Sequence, residues 1–266
     1  MESHKEVLIG KLTRREFREA VSAGRLDSAI VALGATEQHL DHLAMDHDIA
    51  MATHIATYAA QQLYPRAVVA VPTCLGLSEH HMEHPGSMTA KPGSWFSVVF
   101  DTIDSLVRSG LTHILLLNGH AGNEAPVEGI LRQWQLYYRH TAPLVNLQFE
   151  SYWNLCREFS EDHCEAPVPG HAQEYETSTV LHALPGNVRS DLLLEEGEPV
   201  ASRSTAKIGR PMVEQAIERT AAHLRAMQEG VVRDLAPLVS TRERYLARRQ
   251  RAPIQSPLPD ATGPSA

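Results

Sequence analysis

Three short segments of the sequence carry side chains of the kinds that bind divalent metal ions. They are Glu37-Gln38-His39 with Asp48 downstream, Asn118-Gly119-His120, and residues 171–176, which read His-Ala-Gln-Glu-Tyr-Glu. Apart from thiolates, imidazole and carboxylate groups are the usual ligands of zinc, manganese and related ions. The three segments supply enough of these groups for two metal ions, which indicates a metal-dependent hydrolase.

The histidines are also clustered along the chain. Seven of the 15 histidines lie between residues 39 and 84, and they are His39, His42, His47, His54, His80, His81 and His84. A single polar residue in a loop is more often a cap or a turn former than a ligand, and Asp48 alone would fit the N-cap of a helix. The clustering favours a metal site, although His54 and His113 fall within predicted elements and are assigned to packing.

Length, charge and cysteine content limit the class of protein. A chain of 266 residues with 43% hydrophobic residues buries one α/β core, or at most two. The formal net charge of −8 provides no basic field for a phosphate backbone, which argues against a nucleic-acid partner. Cys74, Cys156 and Cys164 are odd in number and lack CxxC spacing, so we expect neither a disulfide framework nor a thiolate zinc site.

The sequence shows no membrane segment. No stretch approaches the ~20 apolar residues that a membrane-spanning helix needs. The start, Met-Glu-Ser-His-Lys-Glu, lacks an apolar run behind basic residues. We therefore expect a cytoplasmic protein in a reducing compartment, with no membrane partner.

Hydrophobic periodicity predicts alternating helices and strands. Continuous apolar runs, typical of strands buried on both faces, occupy residues 28–34, 67–71, 113–117 and 144–149. Helical spacing of apolar residues marks six further segments, which are 13–20, 48–63, 94–108, 125–138, 174–182 and 211–228. This order predicts an α/β fold, a single-domain three-layer α/β/α architecture with a mostly parallel central sheet.

The candidate metal ligands follow the predicted strands. Glu37 comes after the first strand, residues 76–86 come after the second, and His120 comes directly after the third. In open parallel sheets, ligands bind outside the carboxyl ends of the strands. We therefore expect these loops to converge on one active site.

Four segments of the chain form an ordered set. They are Gly-Ala-Thr-Glu-Gln-His at 34–39 followed by Asp48, Gly-Leu-Ser at 76–78 leading to Pro-Gly-Ser at 85–87, Asn-Gly-His-Ala-Gly-Asn at 118–123, and His-Ala-Gln-Glu-Tyr-Glu-Thr-Ser at 171–178. Their order and spacing, across roughly residues 10–235, resemble the signature segments of the creatininase (creatinine amidohydrolase) family. The resemblance implies a creatininase-like fold and two divalent metal ions, either zinc or manganese, with iron as a further candidate.

The resemblance also implies which residues hold the metal ions. In the family, the residues that match Glu37 and His120 bind one ion. The residue that matches His39 binds the other ion, and the one that matches Asp48 bridges the two.

One family ligand is missing. Creatininase has a glutamate two residues after the histidine that matches His120, where this chain has Gly122. We predict that Glu176 replaces it as a metal ligand and also takes part in catalysis. In creatininase the histidine that matches His171 lies by the substrate, so His171 is a candidate for proton transfer, with a structural role over the site as the alternative.

Several residues around the site depart from the family pattern. Residues 40–44 read Leu-Asp-His-Leu-Ala where Gly-Pro-His-Leu-Pro is usual, His47 replaces a usual threonine, and Gln173 replaces a usual glycine. The family serine that matches Ser78 contacts substrate, and we assign substrate contact to Ser78, His81 and Gln173. These departures, with Gly122, count against creatinine as the substrate.

The predicted function is therefore hydrolysis of an amide C–N bond in a small molecule, such as a cyclic amide or a formamide. One alternative is hydrolysis of a lactone or a sugar-derived carbonyl compound at the same metal site. A second is a non-catalytic metal-binding or assembly protein, against which the intact ligand set argues.

The sequence also leads to expectations about domain boundaries and oligomeric state. Residues 1–240 are predicted to form the catalytic domain, and residues 249–266, rich in proline and small residues, a flexible tail. Family members commonly form homohexamers, so the resemblance implies a homo-oligomer.

Overall fold

The structure is a computed structural model that describes residues 5–195 and 201–231. All of these residues belong to one compact unit, Met1–Val232. The predicted flexible tail at 249–266, and the end of the predicted 1–240 domain, lie outside the described residues. Within the described part of the chain, no helix combines the length and the apolar character that crossing a membrane requires.

A four-stranded parallel sheet forms the centre of this unit. The strands are β1 (Ser28–Leu33), β2 (Ala67–Ala70), β3 (His113–Asn118) and β4 (Asn146–Ser151), in the order β2-β1-β3-β4. All three pairings are parallel, and Ile30 of β1 lies between Val69 of β2 and Leu115 of β3. The mostly parallel sheet predicted from the sequence is confirmed.

Eight α-helices are present in the described residues. They are α1 (Arg14–Ser22), α2 (His47–Gln62), α3 (Pro92–Arg108), α4 (Glu124–Thr141), α5 (Arg157–Glu161), α6 (Glu174–Ala183), α7 (Ser190–Glu195) and α8 (Ala206–Gln228). Thr13 is the N-cap of α1 and forms a capping box with Glu16. The Thr13 side chain accepts from the Glu16 N–H, and the Glu16 carboxylate accepts from the Thr13 N–H.

Each face of the sheet buries its own hydrophobic cluster. Ile30 and Ala32 of β1 belong to a cluster with side chains of α2, α6 and α8. Ala29 and Val31, which alternate with them, belong to a cluster with side chains of α3 and α4. Because successive side chains of a strand point to opposite faces, a strand covered on both sides reads as one apolar run. The predicted three-layer α/β/α architecture is confirmed.

The last strand lies two residues further along than predicted. The sequence indicated residues 144–149, but β4 is Asn146–Ser151. The side chain of Leu144 is 80% exposed, and the Val145 N–H donates to the Ala142 carbonyl in a turn. The apolar residues before Asn146 therefore belong to the connection from α4, and the prediction at this boundary was wrong.

The last described helix also begins earlier than predicted. The periodicity predicted a helix over residues 211–228, yet α8 starts at Ala206 and contains Pro211. The Thr205 side chain accepts a hydrogen bond from the Ile208 N–H and so caps the helix five residues upstream.

The strand order creates a switch point at the centre of the sheet. From β1 the chain crosses to β2 on one side, and β3 lies on the other side of β1. The loops after β1 and β3 therefore diverge and leave a crevice at the carboxyl edge, where open α/β folds bind their ligands. Two of the three predicted metal-binding segments follow these strands, and the third, residues 171–176, leads into α6.

Candidate metal centre

Six ionisable side chains meet at this crevice. They are Glu37 and His39 on the loop after β1, His47 and Asp48 in the first turn of α2, His120 directly after β3, and Glu176 in the first turn of α6. The structure thus brings together all five predicted metal ligands and adds His47. Asp46 occupies the N-cap position of α2, so Asp48 is not a helix cap.

Two glycines let the start of α2 come close to the sheet edge. A Cβ atom on Gly34 would lie 2.5 Å from the backbone nitrogen of Ile49. A Cβ atom on Gly119 would lie 2.4 Å from the carbonyl oxygen of Asp48. Any larger residue would push α2 away, so the glycines at the ends of β1 and β3 place Asp48 between the two loops.

The first group of ligands surrounds one ring nitrogen of His120. Its Nδ1 lies 2.9 Å from Oδ2 of Asp48 and 3.3 Å from Oε1 of Glu37. Its Nε2 lies 3.3 Å from the carbonyl oxygen of Leu77, which can only accept a hydrogen bond. In the neutral ring the proton therefore sits on Nε2, and Nδ1 turns its lone pair toward two carboxylates.

The second group repeats this arrangement around His39. Its Nδ1 lies 3.1 Å from the carbonyl oxygen of Glu37 and so carries the proton of the neutral ring. Its Nε2 lies 3.1 Å from Oδ1 of Asp48 and 3.9 Å from Oε2 of Glu176. A second lone pair therefore faces two further carboxylate oxygens.

Asp48 connects the two groups because its oxygens face different rings, Oδ1 toward His39 and Oδ2 toward His120. The side chains involved are at most 3% exposed. Oε2 of Glu37, Nε2 of His39 and Oδ2 of Asp48 are buried without a hydrogen-bond partner. Buried lone pairs and anionic oxygens that face one another need positive charge between them, so the donor set fits divalent cations.

The pKa values of the buried histidines and of Asp48 also show that this cluster of carboxylates favours positive charge. Burial alone would lower the pKa of His120, but Asp48 and Glu37 raise it to about 10. Burial opposes the charged form of His39 as well, yet Asp48 and Glu176 raise its pKa to about 9. Burial would raise the pKa of Asp48, which the two imidazoles instead hold well below its usual value. A divalent cation bound at this site would thus compete with protons for the same nitrogen atoms.

Glu176 is held in place by the turn before α6. The Ala172 N–H donates to its Oε2 at 2.5 Å, and Ala172 adopts a left-handed conformation with φ of 52°. This conformation is unfavourable for alanine, so the turn stores strain to aim the N–H at the carboxylate. Burial raises the pKa of Glu176 to about 8, against the opposing charge of His39.

His47 lies on the far side of Glu176 and was not predicted as a ligand. Its side chain is 1% exposed, and neither ring nitrogen has a hydrogen-bond partner. Its Nε2 lies 3.8 Å from Oε1 of Glu176. Burial, followed by the charge of His39, lowers the pKa of His47 to about 3, so its ring stays neutral.

A layer of partly exposed side chains covers the candidate metal ligands. His171 and His81 stack with ring centroids 4.5 Å apart, and their side chains are 33% and 16% exposed. Both rings face Oε1 of Glu37, Nδ1 of His171 at 3.9 Å and Nε2 of His81 at 3.6 Å. Burial, with the charge of His39, lowers the pKa of His171 to about 4. These rings are placed to meet a molecule that approaches from solvent.

The other two predicted substrate contacts lie deeper or further away. Ser78 is fully buried, and its hydroxyl lies 3.3 Å from Nε2 of His120. Gln173 stands at the N-cap of α6 with its side chain beside Gly170. Substrate contact by Ser78 and Gln173 stays a prediction, and the geometry gives Ser78 a part in orienting His120.

Gly122 cannot be replaced by the glutamate of creatininase in this geometry. A Cβ atom there would lie 2.4 Å from Nε2 of His120, 2.6 Å from the Leu77 carbonyl oxygen and 3.0 Å from the His80 ring. His80 stacks on His120 with ring centroids 5.8 Å apart. The space beside Gly122 is thus filled by the second predicted loop, and Glu176 lies with His39, His47 and Asp48 in a group that could hold a metal ion.

Sequence reasoning missed the roles of Gln38 and His47. Gln38 stands between two candidate ligands, and its amide contacts both His81 and His171. His47 precedes Asp48 in the sequence, and its departure from a usual threonine was the signal that could have identified it.

Comparison with known proteins places these features in a family. A family model described as creatininase, creatinine amidohydrolase, matches residues 10–236. A mycofactocin precursor peptide peptidase of Mycobacterium ulcerans is 26% identical over 173 residues, which are 62% of this chain and 62% of that protein. A creatinine amidohydrolase of Pseudomonas putida is 27% identical over 207 residues, 72% of this chain and 77% of that protein.

The fold has counterparts among solved structures. A structure described as creatininase Mn superposes with a TM-score of 0.74 at 21% sequence identity. The match covers 84% of this chain and 99% of the solved chain. The similarity shows that the two chains share one fold.

Proposed function

Because this chain belongs to the creatininase family of hydrolases, we propose that it uses two divalent metal ions to cleave an amide C–N bond with water. The substrate is a small molecule such as a cyclic amide or a formamide, and it is not creatinine. The observation that carries the proposal is Asp48, whose two oxygens face the lone pairs of two different buried imidazoles. One ion is assigned to Glu37, Asp48 and His120, and the other to His39, Asp48 and Glu176.

The donor chemistry limits the ions. Mixed imidazole and carboxylate donors suit zinc, manganese and iron. When bound, such a pair of ions supplies a hydroxide nucleophile at neutral pH and polarises the scissile carbonyl.

The chain itself supplies orientation and proton transfer. The carbonyl oxygens of Leu77 and Glu37 fix the tautomers of His120 and His39, so that the ligating nitrogen of each ring points into the site. His171 presents Nδ1 toward the cluster from the solvent side. We assign to it the transfer of a proton to the nitrogen that leaves when the amide bond breaks. Glu176, a buried carboxyl whose pKa is raised to about 8, is the second candidate for handling a proton.

The names of the relatives favour an amide over a lactone. One relative is a peptide peptidase and another is a creatinine amidohydrolase, and both names describe cleavage of a C–N bond. The clash that a side chain at Gly122 would cause with His120 argues against a creatinine site.

Metal content tests the proposal directly. We would measure metal by elemental analysis in the wild type and in the His120→Ala and Glu176→Ala variants, with His140→Ala as the control because His140 is exposed on α4. Two ions per chain in the wild type and the control, reduced in both site variants, would agree with the proposal. An absence of bound metal after reconstitution would contradict the proposed metal-dependent hydrolysis and favour a non-catalytic role.

A substrate screen follows from the same preparation. Cyclic amides, formamides, short peptides and lactones would be tested with loaded and chelator-stripped protein. If only lactones were hydrolysed, and only by the metal-loaded protein, the proposal of an amide substrate would be wrong, while the proposed metal site would still be supported.

Assembly is a separate proposal. The family resemblance favours a homohexamer, which light scattering coupled to size-exclusion chromatography would test. A monomer at micromolar concentration would contradict it.

A further inference from the structure

We propose that His47 is a ligand of the metal ion held by His39, Asp48 and Glu176, so that this ion binds two imidazoles and the other ion binds one. The inference rests on the proposed function, because it concerns one of the two proposed metal sites. Its basis is a fully buried ring of which neither nitrogen has a hydrogen-bond partner.

An unpartnered buried imidazole needs an explanation. Leaving a buried polar group without a hydrogen bond costs about 1–3 kcal/mol. The backbone N–H of His47 donates to the Ala44 carbonyl, and that bond does not involve the side chain. The ring therefore adds nothing to the cap of α2. A metal ion that binds the lone pair of one ring nitrogen would offset the part of the cost that belongs to that nitrogen.

The distances fit a shared ion. Two ligands of one zinc ion lie at most about 4.2 Å apart, which is twice the usual bond length to nitrogen or oxygen. Nε2 of His47 lies 3.8 Å from Oε1 of Glu176, and Nε2 of His39 lies 3.9 Å from Oε2 of the same carboxylate. Donor atoms of His39, His47, Asp48 and Glu176 all lie within 4.8 Å of one another, so the widest separation has to close by at most about 0.6 Å around a bound ion.

The two metal sites would then differ in chemistry. The site with His39 and His47 offers two imidazoles and two carboxylates, while the site at His120 offers one imidazole with the carboxylates of Glu37 and Asp48. Imidazole suits zinc and its neighbours, whereas sites rich in carboxylate suit manganese. We therefore expect zinc to fill the site with two imidazoles first, and manganese to compete better at the other.

Zinc titration of the whole chain tests the assignment. Metal-free wild type and His47→Leu would be titrated with zinc against a chromophoric chelator. His54→Leu is the control, since it makes the same change in the same helix at a histidine outside the metal cluster. We expect one of the two zinc affinities to fall by at least about tenfold in His47→Leu, and both to stay unchanged in the control.

The stability of the metal-free chain separates a ligand from a structural residue. Because leucine removes an unpartnered polar group from the interior, we expect the metal-free His47→Leu protein to be at least as stable as the wild type in urea. A less stable metal-free variant with unaltered zinc affinities would overturn the inference and make His47 a packing residue.

The outcomes also distinguish this inference from the proposed function. Wild type that binds no zinc would contradict the proposed function itself. Wild type that binds two zinc ions, together with a His47→Leu variant that binds both with unchanged affinity, would overturn the role of His47 alone. The visible spectrum of the cobalt-substituted protein provides a second measurement, since loss of an imidazole ligand would change the cobalt bands in His47→Leu and not in His54→Leu.

Discussion

Gln38 and His171 are joined by a hydrogen bond of 2.7 Å between the side-chain amide nitrogen and Nε2 of the ring. The same amide nitrogen lies 3.0 Å from Nδ1 of His81. The Leu40 N–H donates to the amide oxygen of Gln38 at 3.0 Å, which fixes the orientation of the amide. One glutamine therefore donates to two stacked imidazoles in the layer over the candidate metal ligands.

This contact determines where the two rings hold their protons. A neutral imidazole that accepts at one nitrogen carries its proton on the other. His171 therefore presents an N–H at Nδ1 and His81 an N–H at Nε2, and both face Oε1 of Glu37. In this state the role proposed for His171 is to donate a hydrogen bond from Nδ1 to the reacting group. Full proton transfer from a charged ring requires the amide of Gln38 to rotate and offer its oxygen.

We expect Gln38→Glu to reverse both tautomers. A carboxylate can only accept, so His171 would hold its proton at Nε2 and His81 at Nδ1. The ring nitrogen shifts of protein labelled with ¹⁵N-histidine report the tautomer, with His171→Asn and His81→Asn to assign the signals. Activity toward any identified substrate should fall about 10- to 100-fold, as is usual when a partner that orients a site residue is lost.

Gln62→Glu is the control for the charge change, because Gln62 is exposed at the end of α2. Tautomers that are the same in Gln38→Glu and in the wild type would contradict the role assigned to Gln38.

Gly122→Ala should disturb His120 and the metal ion assigned to it. The new Cβ would lie 2.4 Å from Nε2 of His120, closer than any real contact, so the ring must move. We expect weaker binding of one metal ion and a loss of stability of about 1–3 kcal/mol, which is typical of overpacking. Urea unfolding and zinc titration measure the two effects.

Gly129→Ala is the matched control, since a Cβ there meets nothing within 4 Å in the middle of α4. Alanine favours the helix, so this variant should gain roughly 0.5–1 kcal/mol with unchanged zinc binding. Equal behaviour of the two variants would show that the loop at Gly122 has room for a side chain.

The sheet and the loops that carry the ligands could be predicted because their signals are local. Runs such as residues 28–34 and 113–117 are continuously apolar, and that pattern requires cover on both faces. Once the strands are parallel, the loops after them share one edge, which brings Glu37 near His120 without any knowledge of side chains.

The features that could not be predicted from the sequence depend on contacts between distant residues or lie in very short helices. The sequence does not show that the ring of His47 turns inward, because a histidine in the first turn of a helix is equally compatible with solvent. The short helices α5 and α7, of five and six residues, have too few turns for a periodic pattern. The hydrogen bonds of Gln38 join residues 43 and 133 positions apart, beyond any local signal.

Asp48→Asn should remove metal from both sites. The amide keeps the shape of the side chain but loses the negative charge that both groups of ligands share. One of the two carboxylate oxygens is replaced by an NH2 group, which can only donate. We expect the metal content to fall from two ions per chain to one or none. Elemental analysis measures this, with Asp46→Asn as the control because Asp46 is exposed two residues away. Retention of two ions by Asp48→Asn would exclude a bridging role.

The stability of the metal-free chain should fall as the pH rises from about 7 to about 9.5. His39 and His120 have pKa values of about 9 and about 10, above the usual 6.5, so the folded chain binds more protons than the unfolded chain in this range. Their contribution is fully present below pH 6.5 and is lost as the pH rises through 9 and 10. Burial raises the pKa of Glu176 to about 8, so this carboxyl also binds a proton in the folded chain and its contribution to stability also falls as the pH rises.

Metal ions should abolish this dependence, because they replace the protons on the same nitrogens. Each proton gives a slope of about 1.4 kcal/mol per pH unit where only the folded chain holds it. Urea unfolding at pH 7, 8 and 9, with chelator and with zinc, measures both slopes, and calorimetry in buffers of different ionisation enthalpy counts the protons that zinc displaces. We expect a falling slope with chelator, a flat one with zinc, and release of more than one proton per chain at pH 7. Parallel slopes in the two series, with no proton release, would mean that zinc does not bind at His39 and His120.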